Sequence, residues 1–304
     1  MDYDVIIAGG GPAGLNAALY AARSGLSCLL LEKMFAGGQM STTTTLENYI
    51  GFPGGVDAIT LAMNMEQQAK DAGAEIKYEE IKELELSGDV KTITTAKGVL
   101  TAKAFIACMG AQPRKLGVSG EDAFRGRGVS YCATCDGALY KDKTVAVIGG
   151  GDTALEDALF LAKYCRKVYL IHRRDAFRGV QALSEQVKSL DNVELVLSSV
   201  VKEIKGNNAV ETIIVSNVAT EEETELSVNG IFVAVGTQPN TELLEGKLAL
   251  TDGGYVETDE EMKTGIPGVF AAGDLRKKPL RQVITAAADG AVAAFSALRY
   301  IESH

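Results

Sequence analysis

The chain has 304 residues, with 40 acidic against 30 basic side chains, a net charge of −10 and 46% apolar content. At that length one core tends to split, so two domains, or at most three, are expected, and the apolar share excludes a mostly disordered chain. The negative field disfavours nucleic-acid backbones and anionic lipid as partners. There is no run of about 18 uncharged apolar residues, and the start is acidic, so neither a membrane span nor a secretory leader is expected. The five cysteines form an odd, sparse set, which argues for a reducing cytoplasm over a secreted disulfide framework.

The first predicted element is an apolar strand over 4–8. Gly9-Gly10-Gly11-Pro12-Ala13-Gly14 then turns into a helix over 12–24, and a second strand follows over 27–32. An acidic helix over 56–72 comes next. Alternating strands follow near 75–80, 82–87, 89–95 and 98–107, punctuated by Gly88-Asp89 and Lys97-Gly98.

About 140 residues after the first strand the pattern returns: a strand over 144–148, Gly149-Gly150-Gly151, a helix over 152–164 and a strand over 167–172. The two copies match in register, Leu15 with Leu155, Ala18 with Ala158 and Leu30 with Leu170. A helix over 179–189 and strands near 193–205, 209–217 and 223–235 complete the second copy. Both copies close alike, at Phe105–Pro113 and Ile231–Pro239. The predicted fold is α/β, with two Rossmann-like three-layer ββα dinucleotide-binding domains, the second inserted into the first. The tail has no place in the repeat and is expected to return to the first domain. The expected boundaries are therefore 1–113 with 244–304, and 114–243, joined by short linkers near 113–117 and 239–243.

Gly9-x-Gly11-x-x-Gly14 between a strand and a helix fits a dinucleotide turn. The first glycine permits the turn, the second admits a pyrophosphate and the third allows close packing. A glycine-rich turn alone can be purely structural. Glu32, at the end of the second strand, adds a carboxylate that accepts from a ribose diol and repels an extra phosphate. This pocket suits the ADP half of FAD or NAD.

The second copy carries Gly149-x-Gly151-x-x-Ala154. His172 replaces the carboxylate, followed by Arg173, Arg174 and Arg178. A basic cluster in an acidic chain, at the ribose position, reads as a 2′-phosphate site and therefore NADP(H). A solvated basic strand end is the plain alternative.

Cys132-Ala133-Thr134-Cys135 precedes the second repeat. A zinc half-site needs further ligands, and the only histidines are His172 and His304. Two inert core cysteines and a redox disulfide are the other readings, and the spacing favours the last. Asp136 can exchange a proton if it lies near the sulfurs. Cys28, Cys108 and Cys165 fall on apolar positions and are expected in the core.

Together, Gly9–Gly14, Gly37-Gly38-Gln39, the Thr42–Thr45 run, Glu47-Asn48, Cys132–Gly137, Gly149–Ala154, His172-Arg173-Arg174 with Arg178, and Gly268–Asp274 occur in the order of low-molecular-weight thioredoxin reductases. The chain resembles that family over nearly its whole length. The resemblance implies a homodimeric flavoenzyme of cell redox homeostasis, passing electrons from NADPH through FAD to its own disulfide and on to thioredoxin.

Carried over, Cys135 faces the flavin, Cys132 attacks the thioredoxin disulfide and Asp136 is the acid–base group. For FAD the resemblance implies Gly9, Gly11, Pro12, Ala13, Gly14, Glu32, Lys33, Gly38, Gln39, Asn48, Gly273, Asp274, Arg281, Gln282 and Val283. In that set Asp274 holds ribityl or ribose hydroxyls. Arg281-Gln282-Val283 open a helix aimed at the flavin ring, whose N-terminus stabilises the charge of a reduced flavin. For NADP it implies Gly149, Gly151, Asp152, Thr153, Ala154, His172, Arg173, Arg174 and Arg178. No metal is expected.

Met109 stands where relatives carry Thr or Ser, and Ala138-Leu139 where they often carry aromatics that touch thioredoxin. Arg125 and Arg127 are candidate partner contacts, with a solvated surface as the alternative.

The cysteines and the NADP pocket share the inserted domain, while the flavin belongs to the other, so a hinge motion between half-reactions is expected. Rival readings are a same-fold reductase for another dithiol carrier, such as a glutaredoxin-like or peroxide-reducing partner, and a flavin- and NADP-binding redox sensor without turnover. A ferredoxin-fed relative has no need of Arg173 and Arg174, and a fused N-terminal carrier is not expected ahead of Gly9.

Overall fold

The computed structural model describes residues 1–42 and 45–304, so within the Thr42–Thr45 run Thr43 and Thr44 lie outside the described residues. In chain order the elements are Tyr3–Ala8 (β1), Pro12–Arg23 (α1), Cys28–Glu32 (β2), Thr45–Leu46 (β3), Val56–Asp57 (β4), Ala58–Asp71 (α2), Glu75–Tyr78 (β5), Ile81–Glu85 (β6), Lys91–Thr95 (β7), Gly98–Ala107 (β8) and Ala111–Pro113 (β9). Next come Val129–Ser130 (β10), Ala133–Asp136 (α3), Thr144–Gly149 (β11), Asp152–Leu161 (α4), Lys167–Ile171 (β12), Gln181–Lys188 (α5), Val193–Val196 (β13), Ser199–Gly206 (β14), Val210–Asn217 (β15), Glu223–Ser227 (β16) and Gly230–Ala234 (β17). Thr237–Pro239 (β18), Val269–Ala271 (β19) and Val283–Ser303 (α6) close the chain.

The chain divides into two compact units, Met1–Gln112 with Gln238–His304, and Pro113–Thr237. In the first unit β5, β2, β1 and β8 lie side by side as parallel strands, and β19 joins β8. Val5, Ile6 and Ile7 are fully buried, as a central parallel strand covered on both faces requires. Strands β6 and β7 extend this sheet as an antiparallel meander from β8. Helix α1 buries Ala13, Leu15, Ala17, Ala18 and Ala21. Helix α6 comes so close to it that a Cβ on Gly290 would lie 2.0 Å from the Ala13 carbonyl oxygen.

The second unit repeats the plan. Strands β10, β17, β11, β12 and β13 form a parallel sheet, and β14, β15 and β16 form a separate antiparallel one. The fold is thus α/β with two Rossmann-like halves.

Three elements depart from the sequence reading. The run 193–205 is two strands in different sheets: Ser198 takes φ 48° and its N–H donates to the Arg174 carbonyl, turning the chain between β13 and β14. The run 223–235 likewise breaks at Val228-Asn229, where the Asn229 N–H donates to the Thr144 carbonyl at 2.7 Å. Helix α4 stops at Leu161, short of 164, and Asn192 Nδ2 donates to the carbonyls of Ala162 and Cys165 that follow.

The two connections between the units pair as β9 and β18. Within the second unit Arg114 N–H donates to the Gly236 carbonyl, and within the first Asn240 N–H donates to the Gly110 carbonyl, each at 2.9 Å. Among the described residues no helix is long and apolar enough to cross a membrane.

Candidate active site

In the first unit the turn after β1 is built on Gly9, which takes φ 104°, and a Cβ there would lie 2.4 Å from the Cys108 carbonyl oxygen. A Cβ on Gly14 would lie 1.8 Å from the Gly9 carbonyl oxygen, so that residue lets α1 close onto the turn. Gly11, by contrast, opens outward, and the nearest atom to its added Cβ is Gly38 Cα at 3.9 Å. Helix α1 begins at Pro12 with no side chain capping it, so its first N–H groups face this gap, and Ala13 is buried behind them.

Glu32 lies at the end of β2. Its carboxylate accepts from Gly10 N–H at 2.6 Å and Met34 N–H at 3.0 Å. Lys33 points away into an exposed ion pair with Glu80 at 2.6 Å. Gln39 lies beside Gly38 on the short 3-10 turn Gly38–Thr42.

Against the first turn of α1, where a Cβ on Gly273 would lie 2.8 Å from the Cβ of Ala13, the Gly273–Asp274 turn is held by Asp289. Its carboxylate accepts from Gly273 N–H, from two nitrogens of Arg276 at 2.8 and 2.9 Å, and from Lys278 at 2.8 Å. Burial pulls the Asp289 carboxyl up, but Arg276 and Lys278 outweigh it and leave it below its ordinary range. Asp274 is different. Burial pushes its carboxyl up, and Oδ1 is buried with no hydrogen-bond partner. Such an orphan is costly and marks a place for a donor.

Arg281 lies with its guanidinium 4.2 Å from the Tyr255 ring centre. Gln282 caps α6 ahead of Val283, through a reciprocal pair of bonds with Thr285, and Asn48 Nδ2 donates to Gln282 Oε1 at 3.1 Å. The open Gly11 face, the uncapped α1 terminus and the orphaned Asp274 oxygen together fit a bound FAD.

The second unit has a matching cradle. Nothing lies within 4 Å of a Cβ built on Gly151, and α4 begins at Asp152 with no side-chain cap. A Cβ on Gly149 would lie 2.7 Å from that of Ala154, so both residues are small by necessity. Asp152 accepts from Val180 N–H at 2.7 Å, and Thr153 is exposed.

His172 is only 5% exposed; its ring lies over Gly150 and stacks on Phe177 at 5.8 Å, with Nε2 buried and unpartnered. Burial first, then Arg178, Arg173 and Arg174, hold it below its ordinary range, so the ring is neutral. Those three arginines are exposed. Among the described residues none of them has an ion-pair partner. Three unpaired guanidiniums beside an open glycine turn fit a nucleotide phosphate.

Cys132 and Cys135 form a disulfide, with Cα atoms 5.3 Å apart, at the start of the four-residue helix α3. Among the described residues no cluster of three or more His, Cys, Asp or Glu side chains is placed to hold a metal. Cys28, Cys108 and Cys165 are free and buried, and burial raises each thiol.

Asp136 closes α3, and its Oδ2 accepts from Ser130 Oγ at 2.7 Å. Tyr131 donates to the buried Glu121 carboxylate at 2.8 Å, with the Arg125 guanidinium 5.3 Å from its ring centre. Arg127 is turned onto the Ala123 carbonyl, while Leu139 is 52% exposed.

The profile of the pyridine nucleotide-disulphide oxidoreductase family matches residues 3–290. The chain belongs to this family. It is 44% identical over 308 residues to a thioredoxin reductase of Peptoclostridium acidaminophilum, covering 99% of this chain and 98% of the relative. A thioredoxin reductase of Streptomyces coelicolor is 45% identical over 97% of this chain and 92% of its own length. The crystal structure of thioredoxin reductase from Streptococcus pyogenes superposes with a TM-score of 0.94 at 42% identity, covering 99% of each chain.

Sequence reasoning missed Ser130, Glu121, Arg276, Lys278 and Asp289. The acidic residue at 289 inside an alanine-rich helix was the one available signal, since a charge buried there requires partners.

Proposed function

We propose that this chain is an NADPH-dependent thioredoxin-disulfide reductase. The observation that carries the reading is the Cys132–Cys135 disulfide on the same unit as a glycine cradle with three unpaired arginines. FAD, when bound, supplies the two-electron relay between nicotinamide and disulfide.

In this reading the first unit, Met1–Gln112 with Gln238–His304, holds FAD and the second, Pro113–Thr237, holds NADPH. The N–H groups opening α1 receive the FAD pyrophosphate, Glu32 accepts from its ribose and Asp274 Oδ1 from a ribityl hydroxyl. The capped start of α6 presents its N–H groups to the flavin edge, where they favour negative charge. Arg173, Arg174 and Arg178 bind the 2′-phosphate of NADPH, and neutral His172 packs the glycine turn beneath them.

Cys132 is the thiol that attacks thioredoxin, Cys135 is the one that faces the flavin, and Asp136 carries protons between sulfur and solvent. The disulfide and the nicotinamide pocket ride on one unit and both react at a ring held by the other. The inserted unit therefore turns on its two paired linkers between half-reactions.

The reading includes a homodimer, in support of which Ile284, Val292 and Phe295 leave apolar side chains exposed along α6. It also places the chain in the cytoplasm, where the three free thiols stay reduced. The test is an anaerobic addition of NADPH to the FAD-loaded protein, followed by thioredoxin. Bleaching of the flavin and then release of thioredoxin thiols supports it. Bleaching with no electrons reaching any dithiol protein identifies a sensor.

A further inference from the structure

We propose that Ser130 is a positioning residue for Asp136, holding one carboxylate oxygen against the cysteine loop so that protons reach and leave the sulfurs from a fixed point. The proposal deepens the thioredoxin-reductase reading and rests on it.

Ser130 ends β10, where it is registered against Phe232 of β17, and it is only 6% exposed. Its backbone is therefore fixed by the parallel sheet, not by the short cysteine helix. The side chain reaches from that sheet to both ends of the redox loop. Its Oγ accepts Cys132 N–H at 3.1 Å and donates to Asp136 Oδ2 at 2.7 Å. A hydroxyl has one proton to give. The other available acceptor, the Cys132 carbonyl, lies at 3.4 Å, so the carboxylate takes that proton. A charge-assisted bond of this length is among the stronger ones available to a side chain.

Tyr140, packed on Phe232, is the neighbouring phenol, raised first by burial and then by Asp136 itself. From α4, which packs on α3, Phe160 and Leu161 border Gly137, and Asp157 and Glu156 are the helix's other ionisable groups beyond Asp152. Ser130 ties the Asp136 carboxylate to a rigid element.

The chemistry needs such a fixed point. The Cys132 thiolate attacks one sulfur of the partner's disulfide, that S–S bond breaks, and the departing thiolate takes a proton. The Cys135 thiolate then attacks the Cys132 sulfur, the mixed disulfide breaks, and the second partner thiolate takes a proton. Two electrons and two protons pass from the enzyme dithiol to the partner, and the Cys132–Cys135 bond re-forms. Asp136 takes each proton as a cysteine thiol ionises and returns it to the leaving thiolate, ending as it began.

The experiment is a double-mutant cycle on the FAD-loaded enzyme, using Ser130→Ala, Asp136→Asn and the pair, with Ser130→Thr as the variant that keeps the hydroxyl. NADPH-dependent thioredoxin reduction gives kcat and KM, and anaerobic flavin bleaching by NADPH reports that the rest of the enzyme is intact. We expect Ser130→Ala to lower kcat about tenfold with KM for thioredoxin within about twofold, and Ser130→Thr to retain at least about half of kcat. Ser130→Ala should add no further loss on top of Asp136→Asn. A further tenfold loss in that background, or Ser130→Thr as slow as Ser130→Ala, overturns the proposal. If Ser130→Ala does not retain flavin, Ser130→Gly takes its place in the cycle. A wild-type enzyme that bleaches but never reduces thioredoxin rejects the functional reading, whereas an active wild type with multiplying losses rejects the role of Ser130 alone.

Discussion

Gly10 N–H donates to Glu32 Oε2 at 2.6 Å, so the carboxylate at the end of β2 is clamped to the glycine turn after β1. One residue thereby serves two purposes: it fixes the turn and presents an acceptor beside it. Glu32→Ala removes a charge-assisted hydrogen bond worth roughly 1.5–3 kcal/mol, so FAD should bind about 10- to 100-fold more weakly. Fluorescence of released flavin on dilution measures this. Retention equal to wild type counts against the role given to Glu32.

The exposed, unpaired guanidiniums of Arg173 and Arg174 predict a specific defect. Replacing both with Ala should raise the KM for NADPH by roughly 100-fold or more, at about 1.5–3 kcal/mol for each charge-assisted contact. KM for NADH, which lacks the 2′-phosphate, should change little, and flavin content should stay at the wild-type level. Equal effects on the two coenzymes would point to a general charge effect and not to phosphate recognition.

Gly290 makes a structural prediction. A methyl at this position would meet the Ala13 carbonyl oxygen at 2.0 Å and force α1 and α6 apart. Gly290→Ala should lower stability by roughly 1–3 kcal/mol and loosen the turn that opens α1. Thermal melting with and without FAD measures both effects. A melting temperature equal to wild type would show that the helices can separate freely.

Asp157 on α4 supplies a pH dependence. Burial first, and then the adjacent Glu156, push its carboxyl from 3.8 to about 7. A raised carboxyl favours the folded state in its protonated form. Its contribution is present below the ordinary value and is lost as pH rises towards 7. Asp157→Asn should therefore stabilise the protein at pH 8, by roughly 1–2 kcal/mol, and have little effect near pH 4. Urea melts at the two pH values test the sign.

The repeat was legible because each copy pairs a run of β-branched residues with glycines at positions where a Cβ would meet backbone. Val5–Ala8 and Val145–Ile148 announce their strands, and Gly9, Gly14 and Gly149 their turns. The sheet switches at Ser198 and at Val228-Asn229 were not legible. Alternation with period two reads the same on either side of a break; the turn at Ser198 carries neither glycine nor proline, while the Asn229-Gly230 pair at the second break was a turn signal that the alternation masked. The cradle glycines and the arginine cluster were readable from spacing alone.

The supporting groups were not, because their partners are set by the folded chain. Asp289 meets Arg276 across 13 residues, and Glu121 meets Tyr131 across 10. Ser130 looks like any strand serine until Asp136 is seen 2.7 Å from it.

The central claim is that electrons leave NADPH, cross FAD and emerge on Cys132 and Cys135 for delivery to thioredoxin. The most direct measurement is a single anaerobic titration of FAD-loaded wild type, Cys132→Ser and Cys135→Ser with one equivalent of NADPH, followed by thiol counting and addition of oxidised thioredoxin. Wild type should gain two reactive thiols and pass them on to thioredoxin, while either serine variant accepts electrons from NADPH yet delivers none. Thioredoxin reduced at the wild-type rate by either serine variant would contradict the account.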